Sequence, residues 1–314
     1  MTRILVTGGT GFIGSHLALA LLSQENNEVH LTSRYDKLPV ILSDIAGNKP
    51  IFHNIDISNI PKLEELLVAI RPERIYHLAA CVHRRGDEPA IQELLGTNVI
   101  ATAALLRYAK TENIPMVNTA TFTEYASSAT PVDELAPLGP QDAYGISKLA
   151  ATLLCEIEGK KGAPVVTLRL FTPYGPEIPK GRLMHAVVEQ ALLHQPISLS
   201  SPTVTRDFTY VDDIAEAFMR AGDRAGQLRG ETINIGSGKG TTLKELGEIV
   251  LELCNSTSVL TFGSQKSLPY DGELWESNNT KAKNLLGWTP KTDLRSGLLK
   301  TIAWYKKSLL QHPR

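Results

Sequence analysis

Three glycines spaced three apart, Gly8, Gly11 and Gly14 in "GGTGFIG", stand between a β-branched run, "RILVTG", and an apolar run of helical spacing, "SHLALALLSQ". Glycine at these points permits a tight strand-to-helix turn, lets backbone approach a pyrophosphate, and leaves the helix N-terminal N–H groups open to the anion. The chain therefore begins as a strand and helix built to hold a dinucleotide.

The same alternation continues. "EVHLTS" (28–33), "KPIFHNID" (49–56), "RIYHLAA" (74–80), "IPMVNTA" (114–120) and "PVVTLRLF" (164–171) read as strands, and between them "PKLEELLVAI", "IQELLGTNVIATAALLRYAK" and "AYGISKLAATLLCEIE" carry apolar residues at helical spacing. Strands separated by helices imply an α/β fold, a Rossmann-type doubly wound parallel sheet with both faces covered. After Phe171 the alternation breaks down, and a smaller mixed α/β substrate lobe is expected. The boundaries read as 1–171 for the dinucleotide-binding domain, with 206–237 returning to it, and 172–205 plus 238–314 for the substrate lobe.

With 314 residues and 42% hydrophobic content the chain can bury a large core. A net charge of −1 gives no electrostatic case for a nucleic-acid or membrane partner. The opening residues read straight into a strand rather than a signal peptide, and no apolar run nears the ~20 residues of a membrane span, so a cytoplasmic protein is expected. Cys81, Cys155 and Cys254 follow neither a disulfide nor a zinc pattern and read as buried thiols, with no metal expected.

The glycine spacing, together with "YHLAA" (76–80), "YGISK" (144–148), "RLFTPYGP" (169–176), "RDFTYVDDIAEA" (206–217), "NIGSG" (234–238) and "LLGWTP" (285–290), resembles the extended short-chain dehydrogenases. Within them it is similar to the NAD-dependent epimerase/dehydratase group acting on nucleotide sugars, over nearly the whole chain. The resemblance implies cofactor contacts at Gly8, Gly11, Phe12, Ile13 and Gly14, at Ser33 and Arg34, at Asp56 and Ile57, at Leu78, Ala79 and Ala80, and at Lys148. Asp56 matches the family's adenine contact.

Tyr144 and Lys148 stand four apart on an expected helix and so share a face. Carbonyl reduction needs a proton donor beside the acceptor oxygen, and a free phenol with pKa ~10 is poorly matched to neutral pH. Lowering it by about three units takes roughly 4 kcal/mol, about what one positive charge at ~4 Å supplies in an effective dielectric of 20. By resemblance Lys148 also holds the nicotinamide ribose, and Thr121 in "NTATFTEYA" supplies the strand-end hydroxyl of the catalytic set, with Thr119 and Thr123 close by. Nucleotide-sugar 4,6-dehydratases follow that threonine with an Asp-Glu pair; here Phe122 and Thr123 occupy the positions, which argues against a dehydratase.

NAD-dependent relatives carry an acidic residue at the end of the second strand, where it binds both ribose hydroxyls and repels a 2'-phosphate. This chain has Ser33, then Arg34, with Lys37 following. A small hydroxyl leaves room for phosphate and a guanidinium grips it, so NADP(H) is the expected cofactor, with NAD(H) as the other option. The implied activity is NADPH-dependent reduction of a nucleotide-linked 4-keto(-6-deoxy)hexose. An NAD(P)-dependent nucleotide-sugar 4-epimerase would use the same residues, and a non-catalytic NADP-binding sensor would keep only the glycine turn.

For the substrate, the resemblance points to Arg206 for the diphosphate; Arg182 is a candidate second anion contact, Thr121, His83 and Thr172 are candidate contacts to the sugar or diphosphate, and Arg84 and Arg85 at the cleft mouth either reach substrate or face water. Thr172 replaces the usual Asn, "SSPTVT" replaces a glycine-rich stretch, and a late arginine is missing near "PYDGELWESNN", so CDP, dTDP, UDP and GDP all remain open. Relatives pair two helices per subunit across a two-fold axis, which makes a homodimer the expected assembly.

Overall fold

The computed structural model describes residues 1–34, 38–43, 45, 47–82, 91–126, 131–263 and 274–311. Strands β1 (Thr2–Thr7), β2 (Asn27–Ser33), β3 (Ile51–Asn54), β4 (Arg74–His77), β5 (Met116–Thr121) and β6 (Val165–Leu170) lie within the runs anticipated from sequence or differ from them by a residue. They form one parallel sheet in the order β6-β5-β4-β1-β2-β3.

Side chains alternate across this sheet as the two-residue period of a strand dictates. Ile4, Val6, Tyr76, Val117 and Leu168 enter one core, closed by the first helix, Phe12–Leu22, and by the helix Val211–Arg224. Leu5, Ile75, Met116 and Val165 enter the other, closed by helices Ile60–Ile70, Ala101–Thr111 and Ala143–Lys160. Burial on both faces explains why β6 is buried along its whole length. The three cysteines are buried free thiols.

The later strands divide between two bodies. β7 (Thr172–Tyr174), β9 (Thr205–Tyr210) and β11 (Gly240–Thr242) make a three-stranded mixed sheet in the order β11-β9-β7, and β8 (Ile197–Leu199) pairs with β12 (Leu260–Phe262). β10 (Thr232–Ile235) instead extends the large sheet beside β6, making it seven-stranded. The smaller core gathers Tyr174, Met184, Val187, Phe208, Leu246 and Leu298. Two stretches differ from the expected division. Residues 206–210 belong to the small sheet, because Phe208 and Tyr210 bury in its core, whereas Ala282, Leu286 and Trp288 pack into the large core and Trp288 Nε1 donates to the Asp213 carbonyl at 2.9 Å. His16 of the first helix lies 2.7 Å from Asp212 Oδ1 and 3.1 Å from the Pro176 carbonyl, tying the glycine-turn helix to the start of the second body.

One buried carboxylate gathers three segments. Asp207 Oδ1 accepts from the Ser237 N–H and hydroxyl, both at 2.6 Å, while Oδ2 accepts from Gly238 N–H (3.0 Å) and from Ser277 N–H (3.0 Å) and hydroxyl (2.7 Å). Asp207→Ala removes the acceptor these donors share and leaves the buried Ser277 N–H without a partner, and the expected cost is about 3 kcal/mol. Urea unfolding checks this; a cost below about 1 kcal/mol would mean that the segments are held together elsewhere.

Candidate active site

The strand order reverses between β1 and β4, and their carboxyl ends open the crevice where such folds take a ligand. Gly8 follows β1 at φ +67°, and a Cβ there would lie 2.7 Å from Ala79 Cα and N; one on Gly14 would lie 2.2 Å from the Gly8 carbonyl oxygen. Backbone thus meets backbone, with Leu78, Ala79 and Ala80 forming the facing wall, each half-buried. Gly11 is the N-cap of the first helix with no side-chain cap, so no cap side chain competes for the first-turn amides of Phe12, Ile13 and Gly14, the arrangement that suits an anion.

Further along the crevice β2 ends in buried Ser33, opposite Asn54 in the register, and Arg34 beyond it is exposed. Burial pushes the Cys81 thiol up, Glu93 and Asp56 push it the same way, and Arg34 pulls it down. Asp56 Oδ1 accepts from the Ser58 N–H (2.9 Å) and hydroxyl (2.8 Å), which fixes its carboxylate, and Ile57 is buried beside it. Lys37 lies outside the described residues.

At the other end of the crevice β5 finishes at Thr121, the N-cap of a single 3₁₀ turn, Phe122–Glu124. Thr121 Oγ1 accepts from Thr123 N–H at 3.3 Å and lies 3.2 Å from Thr123 Oγ1. The helix Ala143–Lys160 starts on this turn: Asp142 caps it by accepting from Gly145 N–H at 2.6 Å, and a Cβ on Gly145 would lie 2.8 Å from the Thr123 carbonyl oxygen. Tyr144 is half-buried and Lys148, one turn on, is 1% exposed. Burial pushes Lys148 down to about 8, against the pull of Glu124.

The match to a family model described as "NAD dependent epimerase/dehydratase family" spans residues 4–236. The chain belongs to this family. It is 32% identical to UDP-glucuronic acid decarboxylase 5 of Arabidopsis thaliana over 94% of this chain and 87% of that one. Its fold is similar to UDP-glucuronic acid 4-epimerase from Bacillus cereus, solved with UDP-glucuronic acid and NAD (29% identity, 98% and 100% of the two chains, TM-score 0.87). It is equally similar to UDP-glucose 4-epimerase of Thermotoga maritima, solved with UDP-glucose (26% identity, 98% and 100%, TM-score 0.87). The protein is thus a nucleotide-sugar-modifying enzyme of the extended short-chain dehydrogenase type.

In this family member a polar network that sequence reading missed joins the two ends of the site. Thr102 Oγ1 donates to the Asn98 carbonyl (2.7 Å), so it accepts from His77 Nε2–H (2.8 Å), and His77 Nδ1 accepts from the Thr7 hydroxyl (2.7 Å). Burial, reinforced by the Lys148 charge, pushes His77 down to about 3 and keeps it neutral. Asn98, on a π-helical turn, accepts from Cys81 N–H (2.8 Å) and donates to the Cys81 carbonyl (3.0 Å) and Ser147 Oγ (2.9 Å); Ser147 in turn donates to the Tyr144 carbonyl (2.7 Å). Beneath Thr121, Glu124 and Arg169 form a second buried set. Its sequence signal was the Thr121-x-x-Glu124 capping-box spacing, and the signal for Asn98 was a polar residue within an apolar helical run.

The structure brings Thr121, Tyr144 and Lys148 to adjoining elements, and Gly8, Gly14 and Ala79 into contact. Of the residues expected near substrate, Thr172 is half-buried in β7, Arg206 is buried in β9 with Nη1 donating to the Thr205 carbonyl at 2.9 Å, and Arg182 is exposed at the head of helix Leu183–Leu192. His83, Arg84 and Arg85 lie outside the described residues.

Lys148 makes a pH prediction. Its folded-state pKa lies near 8, below its ordinary 10.5, so the folded chain binds fewer protons than the unfolded one between these values and stability rises with pH across that window. Lys148→Met is expected to lack this rise. Urea midpoints of the two proteins from pH 7 to 10.5 check it, and parallel curves would contradict it.

Proposed function

We propose that this family member reduces a nucleotide-linked 4-keto(-6-deoxy)hexose with NADPH. The observation that carries the reading is the end of β2, where Ser33 stands in place of a carboxylate and the exposed Arg34 follows it directly. Ser33 leaves room for a 2'-phosphate and Arg34 supplies the matching cation. The cradle fits a dinucleotide, since the missing side chains at Gly8 and Gly14 let the turn close against Ala79 and the Gly8 carbonyl and leave the helix N-terminus uncapped for a pyrophosphate. The large-sheet body would hold the cofactor, and the small-sheet body the nucleotide sugar.

When bound, the nicotinamide supplies the hydride. The chain's own part is the proton and its surroundings. Tyr144 donates the proton to the carbonyl oxygen, and the Lys148 ammonium favours the phenolate left behind. Thr121 donates a hydrogen bond to the same oxygen, its own Oγ1 accepting from Thr123 N–H and so polarised toward donation. With Phe122 and Thr123 following Thr121, the turn holds no carboxylate facing the sugar for elimination of water, because the carboxylate of Glu124 is held by Arg169.

A second reading, an epimerase working on retained NAD, is favoured by the NAD found in the Bacillus cereus 4-epimerase structure. The two separate experimentally. For the reductase, NADPH binds more tightly than NADH, Arg34→Ala loses tenfold or more of the NADPH affinity, roughly the worth of one charge-assisted contact, and leaves NADH unchanged. Nucleotide-linked 4-ketohexoses then drive NADPH oxidation, which Tyr144→Phe lowers by about 10²–10⁴-fold with cofactor binding intact. Equal affinities, or NAD carried through purification, would support the epimerase; absence of ketone-dependent NADPH oxidation would sink the reductase.

The proposed assembly is a homodimer. Ile146 (56% exposed), Leu153 and Ile157 line one face of the Tyr144 helix, and Ile91 (66% exposed), Leu95 and Ile100 are exposed on the segment before Ala101. A second copy would bury both sets. Light scattering at micromolar concentration is expected to give twice the chain mass, falling to one chain mass in Ile146→Asp/Ile157→Asp; a monomeric parent protein would contradict the assembly.

A further inference from the structure

We propose that Glu124 is a positioning residue of the Tyr144 and Lys148 centre: its buried carboxylate, clamped by Arg169, fixes the turn that carries Thr121 and is held by Thr152, one helical turn from Lys148 on the same face, as the negative partner of that ammonium. The inference rests on the reading of Tyr144 as a proton donor made acidic by Lys148.

Both carboxylate oxygens of Glu124 are committed. Oε1 accepts from Thr121 N–H (3.3 Å) and the Thr152 hydroxyl (3.1 Å), while Oε2 accepts from Arg169 Nε and lies 3.0 Å from both Nε and Nη2. The guanidinium is held in turn: Nη1 donates to the Tyr125 hydroxyl at 2.6 Å, which donates to Asn234 Oδ1 at 2.8 Å, and the Tyr125 ring lies 4.4 Å beneath it. With every acceptor site taken and no exposed surface, Glu124 is not placed to shuttle protons. It acts through what it holds.

Thr121 N–H is one thing it holds, and the Thr121 backbone determines where the Oγ1 points. The other is the charge of Lys148. The groups around this centre are Arg169 from β6, Lys148 and Cys155 from the Tyr144 helix, Tyr125 from its own segment, Glu134 beyond Tyr125, and neutral His77 from β4. Among the causes acting on Lys148, burial pushes the ammonium toward neutrality and Glu124 is the carboxylate that opposes it. A buried ion pair can often be exchanged for apolar residues without loss of stability, so folding alone does not explain why ionised groups stand here. A charge requirement at Lys148 does.

The test follows the ionisation of Tyr144, without substrate, in cofactor-free protein. Absorbance at 295 nm is titrated for each background and for the same background carrying Tyr144→Phe, and the difference isolates this phenol. In Glu124→Leu/Arg169→Met, which removes the carboxylate and its guanidinium partner together, and in Glu124→Gln, the Lys148 ammonium is lost at lower pH and the Tyr144 midpoint is expected to rise by about one pH unit or more, a tenfold change in acidity. A single cooperative urea transition that starts from a folded baseline shows that the fold is intact in each variant. Glu124→Asp, which keeps the charge, is expected to keep the midpoint near the parent value. An unchanged midpoint in either folded variant would overturn the proposal. A failed search for ketone reduction leaves the titration untouched, so the two readings fail separately.

Discussion

An ionised carboxylate and a guanidinium removed from water must find each other, because either one left alone in the interior is strongly destabilising. Glu124 and Arg169, 0% and 2% exposed, meet this condition where β5 and β6 end. Their pairing decides where β5 stops, since the Glu124 side chain accepts from the N–H of Thr121, the last strand residue. It also decides how the next helix sits, because Thr152 of that helix donates to the same oxygen. Thr121, Tyr144 and Lys148 inherit their placement from this pair.

The two ends of the crevice use opposite physical means. At the glycine turn the recognition surface is main chain: uncapped amides, a helix terminus and a wall of small residues, all of which require that side chains be missing. At the end where β5 stops it is side chain throughout, with a cation, a phenol and two hydroxyls above the buried Glu124 and Arg169 pair. The Thr7, His77, Thr102 and Asn98 chain spans the interval, and His77 serves there as a fixed neutral link between one donor and one acceptor.

What the sequence made legible was whatever depends on near neighbours. β-branched runs, helical spacing and glycine spacing are local signals, and they located six strands of the large sheet and the turn between β1 and its helix. Residues 206–210 were misassigned because strand character does not name a partner: β9 pairs with Thr172–Tyr174 and Gly240–Thr242, which nothing in "RDFTY" announces. Ala282 and Leu286 likewise look like any amphipathic helix until they are seen against the large core. The unseen members of the site share one property. Glu124 meets Arg169 across 45 residues of chain and Asn98 meets Ser147 across 49, so their chemistry exists only once the sheet has assembled. Tyr144 and Lys148 were readable because their relation is a single turn of helix.

The π-helical turn Gly96–Ile100, where Ala101 N–H reaches back five residues to the Gly96 carbonyl, has a consequence for how this segment tolerates change in length. A π turn is an α-helix with one residue inserted, and each residue turns a helix by about 100°. Loss of one residue between 96 and 100 would give a more regular helix, yet it would swing Asn98 and its neighbours off the face that meets Cys81 and Ser147 while Ala101, Leu105 and Ala109 still sought the sheet. The extra residue therefore acts as a phase shifter: it lets one continuous helix present a polar face to the crevice first and an apolar face to the sheet afterwards, so single-residue deletions there should be far less tolerated than substitutions.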